Sequence, residues 1–125
     1  MERTPLIRAA EAGDLPAITR LLDDSAAGGP DLPGPGGLTA LMRASARGNG
    51  DAVELLLSRG AAVDAVDAFG NTALMYACAR GHAGTAKRLL AAGAARDHTN
   101  KYGLRAADWA KWPKEGDAVA ALLEG

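Results

Sequence analysis

Few side chains in this chain are suited to covalent or acid–base work: one cysteine, Cys78, two histidines, His82 and His98, and the adjacent carboxylates Asp23 and Asp24. One thiol with two imidazoles is too little for a zinc cage of the Cys/His kind, and a lone cysteine closes no intramolecular disulfide. No Gly-Lys-Ser or Gly-Lys-Thr phosphate loop, Gly-x-Ser-x-Gly elbow or His-Glu-x-x-His pair occurs. The sequence therefore predicts no catalytic residue, no metal ligand and no cofactor. The chemistry that remains is recognition. Arg43, Arg47 and Arg80 offer guanidinium forks for carboxylate or phosphate, and the five aromatics, Phe69, Tyr76, Tyr102, Trp109 and Trp112, offer faces and edges for packing.

Composition narrows the partners. The chain has 125 residues, 48% hydrophobic but only 4% aromatic, with 16 Gly and 6 Pro, so its core is built of small side chains. Fourteen Lys+Arg against 15 Asp+Glu leave a formal net charge of -1, and no global field draws it to nucleic acid or an anionic membrane. The start, Met1-Glu2-Arg3-Thr4-Pro5, lacks the basic and then apolar pattern of a secretory signal, and no apolar run approaches a membrane span. With the single thiol, this reads as a cytoplasmic protein, the nucleus being the alternative, and as a monomer.

The elements that place these residues follow from a repeat. Thr39-Ala40-Leu41 returns 33 residues later as Thr72-Ala73-Leu74, and a further 33 reaches the degraded copy Arg105-Ala106-Ala107. The pairs Leu56-Leu57, Leu89-Leu90 and Leu122-Leu123 keep the same step, as do Gly37, Gly70 and Gly103. Upstream, Thr4-Pro5-Leu6, Gly13 and Leu21-Leu22 fit at an offset of 35, giving four units, roughly 4–35, 36–68, 69–101 and 102–125 of one domain. A fixed period of this size is the mark of a stacked array.

Each unit has a physical reading. Threonine at 4, 39 and 72 is a good N-cap, and Pro5 sits where proline suits the first helical turn. Glycine at 13, 48 or 81 ends that helix, and Asp14 and Asn49 are placed to cap the next. In the second helix Val53, Leu56 and Leu57 fall on one apolar face. The stretch from Ala61 to Gly70 reads as an extended turn or hairpin. Between Gly28 and Gly37, eight of ten residues are Gly or Pro, which predicts an irregular, mobile first connection. Lys111 and Lys114 replace small residues of the inner units, as an end unit with one buried face requires.

The motifs Gly37-Leu38-Thr39-Ala40-Leu41-Met42-Arg43-Ala44 and Gly70-Asn71-Thr72-Ala73-Leu74-Met75-Tyr76-Ala77, followed by Gly81-His82 and Leu89-Leu90-Ala91-Ala92-Gly93-Ala94, resemble those of ankyrin-repeat proteins over nearly the whole chain. The resemblance implies an all-α solenoid of stacked helix-turn-helix units joined by β-hairpin-like loops. The histidine of the family's Thr-Pro-Leu-His motif is Ile7, Met42, Met75 and Asp108 here. That histidine normally bonds neighbouring units, so Met42 and Met75 are expected to substitute apolar packing for it.

The resemblance also implies that the first helices and hairpin tips form the concave, partner-binding surface. Arg8, Arg43, Tyr76 and Trp109 share one register, Arg47, Arg80, Trp112 and Glu11 lie a turn further on, and Phe69, Asn71, Lys101 and Tyr102 sit at the tips. These residues, from Arg43 to Trp112, are the candidate binding set. For the arginines a solvated face competes with a docking strip for an acidic or phosphorylated segment. For Tyr76 and Trp109, packing between units competes with a hot spot. His82 is expected to make a polar contact at the second helix, His98 to be exposed, and Cys78, aligned with Ala10 and Ser45, to fill a packing slot. The function expected is a non-catalytic protein-interaction module. A targeting or regulatory segment of a larger protein is the alternative. A methyl-lysine reader using Trp109, Trp112, Tyr76 and Glu11 is a third.

Overall fold

The computed structural model describes residues 3–109 and Leu123. Seven α-helices, two short 3-10 turns (Ser25–Ala27 and Pro35–Gly37) and no strand are found among them: α1 (Pro5–Ala12), α2 (Leu15–Asp23), α3 (Ala40–Arg47), α4 (Gly50–Ser58), α5 (Ala73–Ala79), α6 (Ala83–Ala91) and α7 (Ala106–Trp109). Lys111, Lys114 and Trp112 lie outside the described residues.

Local chemistry sets these bounds. Thr4, Thr39 and Thr72 each accept from the amide three residues on, at 3.1, 3.3 and 3.3 Å, satisfying one of the free donors of the first turn. Met42 adds a bond that apolar packing does not supply: its sulfur accepts from the Thr39 amide at 3.4 Å, closing a capping box. Gly48 ends α3 at φ 71°, where a side chain would clash with the backbone. Asp14 caps α2 through Ala17 N–H at 3.1 Å, as expected. Asn49 does not cap α4; its amide is spent elsewhere, as shown below.

The first helices α1, α3, α5 and α7 pack side by side in one layer, and α2, α4 and α6 form the second. Between the layers lie Ile7, Ile18, Leu41, Val53, Leu56, Leu74 and Leu89, all 1% exposed or less, with Met42 and Met75 beside them. Each such side chain contributes about 1.5–3 kcal/mol by leaving water. Alanines at 10, 44 and 77 are fully buried as well, letting first helices approach closely. Cys78 is buried in the same layer, as the register predicts, and burial pushes its thiol up to about 12. No helix among the described residues is long and apolar enough to cross a membrane.

Successive units are tied by hydrogen bonds recurring at the repeat's own step. Asn49 Nδ2 donates to the Ala10 and Glu11 carbonyls at 2.9 and 3.0 Å, and His82 Nε2, 33 residues on, donates to the Ala46 carbonyl at 3.1 Å. Asp31 accepts from the Ala62 amide and Asp64 from the Ala95 amide, both at 2.9 Å. At the tips Gly34, Asp67 and Asn100 donate N–H to the carbonyls of Leu38, Asn71 and Leu104 at 2.8, 3.0 and 2.9 Å. Neighbouring tips are joined by Ala68 N–H to Gly36 O, 2.9 Å, and Lys101 N–H to Phe69 O, 3.0 Å.

Two expectations are corrected here. The end of the Gly/Pro-rich first connection is not irregular: residues 34–38 close the same bond as the other tips, because prolines at 30, 33 and 35 need no amide partner and glycines accept the turn. His98 is not exposed but half-buried, with Nε2 2.9 Å from the Gly70 carbonyl, 28 residues back in the same unit.

Candidate functional site

The α5–α7 end of the first-helix layer carries a cleft of about 200 Å³ lined by Asn71, Met75, Tyr76, Ala79, Arg80 and Trp109. Four of these are candidates read from the sequence: Asn71, Tyr76, Arg80 and Trp109. Helix α5 presents Met75, Tyr76 and Ala79, Ala79 falling three to four residues beyond the other two, and Arg80 is its C-cap. The short helix α7 supplies Trp109 as the opposite wall. A cavity of about 150 Å³ is enough to hold a benzene ring, so this cleft has room for one large apolar side chain.

Tyr76 is held in place. Its hydroxyl donates to Asp67 Oδ2, while Asp67 Oδ1 accepts from the Phe69 and Asn71 amides, both at 2.9 Å. Burial, reinforced by the Asp67 carboxylate, pushes the phenol up to about 12. Its ring edge therefore shapes the cleft and its hydroxyl is committed to the tip. Asn71 is fixed likewise, its Oδ1 accepting from Asn100 Nδ2 at 2.8 Å. Trp109 Nε1 is buried with no acceptor among the described residues. Arg80 is exposed and makes no ion pair among the described residues.

At the tips Phe69 and Tyr102 stack, ring centroids 6.3 Å apart at 24°, yet are 51% and 68% exposed. Lys101 stands beside them, exposed. Two aromatic rings left this open form an exposed apolar patch at the tips.

The arginines divide. Arg43 and Arg47 both reach Glu11 Oε2, at 3.2 and 3.5 Å, and Arg3 Nε lies 3.2 Å from Glu11 Oε1. Arg43 is mostly buried, its side chain 19% exposed, and lies close enough to Tyr76 to act on its phenol. Arg47 remains 57% exposed. Hence Arg43 is a buried strut and Arg47 a surface group, a distinction their shared helix and spacing do not reveal. Sequence reasoning missed Arg3 and the carboxylate centre at Glu11; the signal was a single acid one turn beyond the arginine register. It also missed Asp67, which the 33-residue step pairs with Asn100 at the same tip position. Trp112 lies outside the described residues.

No curated protein matches the chain. A family model described as ankyrin repeats in three copies matches residues 1–67 and 41–125, spanning the chain from end to end. With first helices stacked in one layer, second helices in another and a family match that spans its length, the chain belongs to the ankyrin-repeat family.

Proposed function

We propose that this chain is a protein-binding module that holds an acidic segment of a partner along its first helices and loop tips. Ankyrin repeats generally mediate protein–protein interaction and are generally not enzymes, which supports the coarse reading. The observation that carries the finer one is the cleft where Asn71, Tyr76, Arg80 and Trp109 converge. Its walls are mostly apolar, and its rim carries a guanidinium with no carboxylate partner among the described residues. A partner segment offering one apolar side chain beside an Asp or Glu satisfies both. Burial of that side chain supplies affinity, and the charge-assisted bond to Arg80 supplies register.

The same features weigh against a methylated lysine. Glu11 is engaged by three arginines at the far end of the layer, the Tyr76 hydroxyl is given to Asp67, and Arg80 lines the cleft. A cationic guest would face a guanidinium instead of a carboxylate.

Selection from a displayed random-peptide library tests the reading. Enriched sequences should pair Leu or Phe with a neighbouring Asp or Glu, and the enrichment should vanish when Ala79→Leu fills the cleft or Arg80→Glu reverses its rim. Enrichment that persists unchanged with both variants places the binding surface elsewhere.

A further inference from the structure

At the α1 end of the same layer, three guanidinium groups gather around one carboxylate and a fourth, Arg8, lines the same depression. Glu11, in the last turn of α1, is only 9% exposed and is approached by Arg3, Arg43 and Arg47 within 3.5 Å. Arg3, Arg8, Glu11, Ala12 and Arg47 line a depression of about 260 Å³. Arg8 is exposed and makes no ion pair among the described residues, and Arg3 and Arg47 are 55% and 57% exposed.

The balance of donors and acceptors shows what the depression lacks. Each guanidinium carries five N–H donors, and Glu11 offers two oxygens to three of them. Arg43 Nε and Glu11 Oε1 are both buried without a hydrogen-bond partner among the described residues, so the carboxylate does not satisfy the guanidinium groups around it. Four positive charges against one negative leave the cluster strongly cationic. The negative end of α1 does not offset this, because Asn49 Nδ2 occupies the Ala10 and Glu11 carbonyls that would repel an anion. The missing group has several acceptor oxygens and more than one negative charge. A carboxylate has two oxygens and one charge; a phosphate monoester has three terminal oxygens and close to two charges.

We infer that the depression formed by Arg3, Arg8 and Arg47 around Glu11 binds a phosphoryl group carried on a phosphorylated side chain of the partner segment. Glu11 draws Arg43 and Arg47 together beneath the ligand, leaving Arg8 and the outer edges of Arg3 and Arg47 to grip it bidentately. This rests on the protein-binding reading and adds to it a second point of attachment, far from the α5–α7 cleft.

The test uses the full chain and two peptide libraries of random flanks, one with a fixed central phosphoserine and one with serine. The phosphoserine library should be retained at least tenfold better, inorganic phosphate should compete, and retention should fall as salt rises. Arg8→Ala with Arg47→Ala should abolish the difference, while Arg80→Ala keeps it; circular dichroism confirms that each variant is folded. Equal retention of the two libraries overturns the inference, as does an undiminished phosphoserine preference in the Arg8→Ala, Arg47→Ala protein. Binding confined to vesicles bearing phosphoinositides, with neither peptide library retained, overturns it in favour of a membrane headgroup. Failure here with acidic sequences still selected by the α5–α7 cleft leaves the protein-binding reading standing. Failure of both removes that reading too.

Discussion

The hydroxyl of Tyr76 donates to a carboxylate whose other oxygen already accepts two backbone amides, so one side chain couples helix α5 to its tip. A hydrogen bond to a charged group contributes about 1.5–3 kcal/mol; with water able to reach half-buried Tyr76, Tyr76→Phe should cost near the low end, read from urea unfolding at neutral pH. The pH dependence has a definite sign. The phenol is raised from 10.0 to about 12 in the folded chain, so its stabilisation is complete below pH 10 and is lost as pH rises from 10 toward 12. Tyr76→Phe should therefore lose less stability than the parent over that interval, measured as the change in urea midpoint. Cys78, raised to about 12 by burial, adds a slope of the same sign to both proteins. At this scale legibility was uneven. The small-residue slot of Cys78 follows from register alone, but the partners of Arg43 and Tyr76 come from other units, 32 and 9 residues away, and no local pattern names them.

Helices and their ends were readable because their causes are local: a threonine, the amide three residues on and a glycine lie within one short stretch of chain. What joins one unit to the next was not. Asn49 looks like a cap by position, yet its Nδ2 donates to two carbonyls of α1, and its Oδ1, the atom a cap would use, makes no capping bond to α4. The tips make the point testable. Gly70 has φ +77° and a Cβ there would stand 3.1 Å from the Lys101 amide, whereas Gly60, at φ +93°, has nothing within 4 Å. Left-handed backbone costs a side-chain-bearing residue about 1–2 kcal/mol wherever it occurs. Gly60→Ala should lose about that much stability, and Gly70→Ala distinctly more, because it also parts the Lys101–Phe69 bond between tips. Equal losses in urea unfolding would show that the close approach of the tips carries no energy.

Across the whole molecule, each layer is complete only through its neighbours. Helix α7 covers α5, and the tip at Asn100 is bonded to the one at Asp67 through Asn71 and Phe69. Deleting residues 102–125 strips that cover from Leu74 and Met75 and should leave a chain with no cooperative thermal transition by circular dichroism. A cooperative melt close to that of the full chain would contradict this. The architecture was legible because a 33-residue step repeats in glycines, threonines and leucines alike; the division of the arginines was not, because it depends on one glutamate seen only when units stack. The bonds from Asp31 to Ala62 and from Asp64 to Ala95 carry a last consequence. Both span 31 residues and start 33 apart, so the first and second seams offer the same acceptor to the same donor. A duplicate of residues 36–68 spliced in after Ala68 would meet, on either side, the partners its template already uses, and the array could grow by whole layers while the arginine pocket and the tryptophan cleft move apart by one layer for each copy.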